Sequence, residues 1–109
     1  AAIVALQAAA YALRGEAALR VGGCTLVLRP SFAALVAAAD ELGPLFALGE
    51  RAADGRLGLG ELAALFWHCI RDRDAGMTRE AVGEALVEQG LAAVTPALRV
   101  LLGQILQGR

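Results

Sequence analysis

Glu16-Ala17-Ala18-Leu19-Arg20-Val21, then Gly22-Gly23, then Cys24-Thr25-Leu26-Val27-Leu28-Arg29: two short runs flank a pair of glycines. A two-residue hairpin turn demands positive φ, which glycine tolerates because it has no Cβ. The stretch therefore predicts a β-hairpin. Its second run, with Thr25, Val27 and apolar neighbours, is the better strand. A lone hairpin is marginal in water, so it needs a surface to lie on.

That surface has to come from downstream, where the spacing turns helical. Pro30-Ser31 offers an N-cap, and Phe32, Leu35, Val36, Ala39 and Leu42 recur at helical intervals until Gly43-Pro44 stops the run. Pro44 suits the first position of a second, short helix through Ala53, ended by Asp54-Gly55. A third helix from Gly58 to Arg71 carries Leu59, Leu62, Ala63, Phe66 and Ile70 on one face. Thr78 caps a fourth, with Val82, Ala85 and Leu86, ending near Gly90. In the last segment, Leu91 to Gln107, the least strained arrangement makes Thr95 the N-cap and Pro96 the first helical residue. Leu98, Leu101, Leu102 and Ile105 form its stripe. The fold class is α+β, mostly α: an N-terminal β-hairpin followed by four or five short packed helices. Phe32, Leu35, Leu62, Phe66 and Leu98 are expected in one core.

Upstream of the hairpin, Ala1 to Leu13 is strongly apolar, yet shorter than the ~18 residues that span a bilayer. It lacks the basic residues of a signal peptide, so the protein is expected in the cytoplasm. The whole chain has 109 residues, a length that suits one domain. Apolar residues make up 58% of it, much of this alanine, so the larger side chains must supply most of the burial. All ten basic residues are arginines, interspersed with acids to a net charge of −1. That balance leaves no electrostatic footprint for nucleic acid or an anionic membrane. The scarcity of aromatics argues against a base-stacking platform.

The candidate chemistry is thin. Cys24 and Cys69 belong to no CxxC pair and read as two buried free thiols. Asp54-Gly55-Arg56-Leu57-Gly58-Leu59-Gly60-Glu61 imitates the second half of an EF-hand loop. Upstream, however, Glu50 and Ala52 stand at ligand positions, and Gly58 brings no side-chain oxygen. Ca²⁺ wants six or more oxygens, so no calcium dependence is expected. His68 is the sole histidine, and neighbouring Cys69 points about 100° away on a helix, which rules against a nucleophilic pair. Packing in a core or an interface accounts better for Trp67-His68-Cys69. Arg71-Asp72-Arg73-Asp74 reads as a solvated helix terminus. With no P-loop, GxSxG, HExxH or supported GxGxxG, no enzyme activity, metal or cofactor is expected.

From Arg14 onward the chain resembles a known family. Arg14-Gly15-Glu16-Ala17-Ala18-Leu19, the Gly-Gly turn, and Leu26-Val27-Leu28-Arg29-Pro30-Ser31-Phe32-Ala33-Ala34-Leu35 look like the opening of a small phage-type protein. That protein is encoded in gene transfer agents and related tailed-phage clusters, and is grouped with phage tail assembly chaperones. Glu41-Leu42-Gly43, Leu59 to Cys69 and the apolar helix after Gly90 continue the pattern. The resemblance implies a single domain over 14–107, with residues 1–13 an extension outside it. It also implies a tail assembly accessory protein that binds tape-measure or tail-tube protein during tail morphogenesis. The alternatives are a structural tail-tube or adaptor component of the particle, and a generic helical interaction module. No functional residue is carried over from the family. The residues themselves suggest binding through apolar surface, with Trp67 as the protein-binding anchor, about 100° off the Leu62-Phe66-Ile70 stripe.

Overall fold

A computed structural model describes residues 17–21, 23–73 and 75–107. The 1–13 extension, Glu16, Gly22 and Asp74 lie outside them. The hairpin is formed by β1 (Ala17–Val21) and β2 (Cys24–Leu28), antiparallel and in a register that pairs Val21 with Cys24 and Ala17 with Leu28. Gly23 takes φ +82°, the conformation for which the glycine pair was read. Five helices follow: α1 (Phe32–Leu42), α2 (Leu45–Ala53), α3 (Leu59–Cys69), α4 (Arg79–Gln89) and α5 (Leu91–Gln107). The class is α+β, mostly α, as the hairpin and the helical spacings imply.

β1 is the more deeply buried strand. Ala17, Leu19 and Val21 alternate inward, whereas β2 runs from exposed Cys24 and Thr25 at the turn to fully buried Leu28. The outer edge of β2 is sewn to the end of α3. The Arg29 N–H donates to the Cys69 carbonyl (2.6 Å), the Arg71 N–H donates to the Val27 carbonyl (2.8 Å), and Leu28 bridges Ile70. The surface that the marginal hairpin requires is thus partly a strand-like extension of α3 itself.

α3 occupies the centre, with α1 and α4 packed on it; α5 lies against β1, α2 and α4. Leu62, Ala63, Ala64, Leu65, Phe66 and Cys69 of α3 are all buried. All but Ala64 form one apolar cluster with Leu19, Leu28, Leu48, Val82, Leu86 and Leu101. The capping signals hold: Ser31 Oγ accepts from the Ala34 N–H (3.2 Å) and Thr78 Oγ1 from the Ala81 N–H (3.1 Å). Gly90, at φ +85°, ends α4 and turns the chain by 119° into α5 with no further linker.

Several expectations need correction. Phe32 is 85% exposed and lies outside the core. α1 instead presents Ala34, Ala38 and Leu42, with Ala38 wholly buried. An alanine-rich helix has more than one apolar stripe, and the small one permits the closest approach to α3. Leu35 is half-buried and Leu98 packs on the core's margin, while Leu62 and Phe66 are central. Leu59, placed on the α3 stripe by its spacing, is exposed in the first turn. Cys24 is exposed at the hairpin tip, so only Cys69 is a buried thiol. Pro44 is the N-cap of α2 rather than its first helical residue.

α5 begins at Leu91, not at Pro96, which sits inside the helix. Burial of Val94 holds the early turn in helical form against the hairpin side. The proline cannot donate to the carbonyl four residues back, and Thr95 Oγ1 donates to the Leu91 carbonyl (2.9 Å) instead of capping.

Candidate functional site

The polar side chains that converge in the described structure serve the fold. Glu41, at the end of α1, accepts from Arg79 of α4 (2.6 Å) and pairs with His68 Nε2 of α3 (2.9 Å). The Arg79 hydrogen bond, followed by that of His68, holds the Glu41 carboxyl down at about 2. Glu41 therefore ties three helices together at a half-exposed edge, and this gives His68 a role that sequence spacing did not suggest. Its partner is 27 residues away in the chain.

Glu61, the mock EF-hand ligand, caps α3 instead. Its carboxylate accepts the Gly58 N–H (3.1 Å) and pairs with Arg51 (2.5 Å), and these two contacts, in that order, lower its pKa. Asp54 pairs with Arg56 at 3.0 Å. Among the described residues no three His, Cys, Asp or Glu side chains come together as a metal site would require. Cys69 is buried, and desolvation pushes its thiol up to about 12, so it stays a neutral packing group.

Trp67 is half-buried against the core, and the Arg73 guanidinium stands 4.4 Å from its ring centroid. The described part of the Arg71–Asp74 run is exposed but not idle. Arg71 ties to β2 through its backbone, Asp72 adopts φ +57°, and Arg73 covers the indole. The most accessible large apolar groups lie elsewhere. Phe32 is the first residue of α1, and Phe46, 74% exposed, is the second of α2. Sequence reading placed Phe32 inside and passed over Phe46. The available signal was their position in first turns, beside Ser31 and Pro44, where a side chain easily overhangs the helix end.

A mostly apolar groove of about 520 Å³ separates β1 from α5, bordered by Ala18, Thr25, Ala93, Pro96 and Val100. The Gln89 side chain donates across its end to the Arg20 carbonyl. Among the described residues no single helix is long and apolar enough to cross a membrane.

Fold and surface together define a small, mostly helical α+β domain with a closed apolar centre and aromatic side chains left outside. The chain belongs to the family described as phage tail tube protein, GTA-gp10, whose model matches residues 14–108. The match opens at Arg14, the residue at which the resemblance to gene transfer agent and tailed-phage proteins begins. Neither a curated protein nor a solved structure matches the chain. Among tail roles, the family description names the tube and not a chaperone.

Proposed function

We propose that this protein is a structural component of a phage-type tail, in the tube or an adaptor next to it, and that it acts by protein contact rather than catalysis. The family match carries this reading. The exposure of Phe32 and Phe46 supports it, since large aromatic side chains are common anchors of protein contacts. Trp67 is a secondary anchor, because its ring is already shared between the core and Arg73. Neighbouring tail-tube or tape-measure subunits are the proposed partners. The protein is made in the bacterial cytoplasm and retained in the particle. Contacts of this apolar kind persist in high salt.

Quantitative mass spectrometry of purified particles tests the proposal. The protein is expected in many copies per particle, alongside the tube subunits. Its absence from finished particles, with capture by tape-measure protein during assembly, would replace the structural role with a transient chaperone role. Loss of co-purification in Phe32→Ala/Phe46→Ala, with Trp67→Ala weaker in effect, would locate the contact.

A further inference from the structure

A shallow trough of about 620 Å³ runs between α3 and α4. Its floor is small: Gly60 and Ala63 from α3, Gly83 from α4. A Cβ built on Gly60 would meet nothing within 4 Å, so the space above it is open. Leu59 and Val87, 45% and 61% exposed, wall the trough with apolar surface. Along the α4 rim stand Glu80, Glu84 and Glu88, all exposed and spaced one helical turn apart. Among the described residues none of the three has an ion-pair partner, and Arg79, the one described cation lining the trough, is engaged by Glu41. Like charges at i and i+4 oppose the helix that carries them. The row is thus a local cost to α4 that a cationic partner would relieve.

From this geometry we infer that the α3–α4 trough is a docking site for an amphipathic helix of a different protein, with an apolar stripe and arginines or lysines at i, i+4 spacing along one edge. The carboxylates are about 6 Å apart along the axis, the rise of four helical residues, so a parallel-lying basic helix meets them in register. The small floor residues let the incoming backbone approach closely, and Leu59 and Val87 contact its stripe. The negative rim excludes nucleic acid. A second copy of this chain is the wrong occupant. Each described helix carries at most one arginine and none carries lysine, so none presents two basic residues at i, i+4. This inference rests on the protein-contact reading above, but it adds a second, charged surface that salt weakens, unlike the aromatic one.

Two synthetic helical peptides with the same Leu/Ala stripe test it on the full chain, one with arginines at i, i+4 and i+8 and the other with glutamates there. Binding is followed by fluorescence anisotropy and by amide chemical shifts. The arginine peptide is expected to bind at least about tenfold more tightly than the glutamate peptide, and to lose that advantage in high salt. Amide shifts are expected over Leu59–Ala63 and Glu80–Glu88. Glu80→Gln/Glu84→Gln/Glu88→Gln, which leaves the core untouched, should remove the preference. Gly60→Leu should block the trough and weaken both peptides. Equal affinity for the two peptides, no binding, or shifts confined to other surfaces would each overturn the assignment. These outcomes do not depend on whether the protein remains in finished particles, so failure here is distinguishable from failure of the structural-tail reading.

Discussion

α1 and α3 are each eleven residues long and similarly apolar in sequence, yet α3 buries six residues and α1 buries one, Ala38. The difference is one of place. α3 is flanked by α1 and α4 and continues into a strand-like bond with β2, so almost every direction around it is occupied. α1 meets neighbours on one side and leaves Phe32 in solvent. Apolar composition made both helices eligible for the core; the number of neighbours chose between them.

The largest expected effect tests the central helix. Phe66→Ala removes a fully buried ring from α3 and should cost about 3 to 5 kcal/mol in denaturant unfolding. A loss under about 1 kcal/mol would mean that α3 is not the centre of packing.

Next comes the contact that brings α1 onto α3. Ala38→Leu forces extra methyl groups into a site with no solvent exposure and should cost about 1 to 3 kcal/mol. If the variant were as stable as the parent, the α1–α3 interface would be looser than Ala38 indicates.

The polar tie from α1 to α3 and α4 gives a pH test. The Glu41 carboxyl titrates at about 2 in the folded protein and near 4.5 when free of its partners, because Arg79 and then His68 stabilise its charged form. A depressed folded-state pKa contributes stability that is complete above 4.5 and is lost as pH falls toward 2. The melting temperature is expected to drop through that window, and Glu41→Gln should flatten part of the drop. Glu61 acts in the same direction, so some acid sensitivity should remain in that variant. An unchanged acid limb in Glu41→Gln would show that the tie does not hold α1 in place.

The smallest effect is expected at Phe32. Phe32→Ala should change unfolding stability by less than about 0.5 kcal/mol, since the ring is already in water. A loss of 2 kcal/mol or so would erase the contrast between the two helices.

Much of the local architecture was legible because its signals are short-range. The Gly22-Gly23 pair, Ser31 and Thr78 as caps, and Gly90 as a stop each act within a few residues of themselves. The Val82-Ala85-Leu86 stripe was legible too, since α4 has a polar face to contrast with its apolar one, and Leu62 and Phe66 were placed correctly because α3 buries nearly every side. The stripe of α1 was not. A run such as Phe32-Ala33-Ala34-Leu35-Val36-Ala37-Ala38-Ala39 is apolar nearly all round, and periodicity cannot select a face where no face is polar. Leu59 and Cys24 were misplaced for a related reason. Each fits an inward pattern but stands at the end of its element, where the core has run out. The candidate contact surfaces were the least legible part, because an exposed aromatic and a buried one are written identically.

What the sequence alone determined is therefore the set of elements, their caps and turns, the α+β class and the family pattern from Arg14 onward, all carried by residues near one another or by pattern over length. Only the tertiary structure decided which apolar face each helix buries, that Pro96 lies within α5, that Glu41 joins His68 and Arg79 across three helices, and that Glu80, Glu84 and Glu88 line an open trough. These outcomes depend on contacts between residues distant in the chain, and in an alanine-rich sequence many faces can be buried at similar gain. The choice falls to shape, since helices come closest where side chains are smallest, and the larger groups that do not fit remain outside.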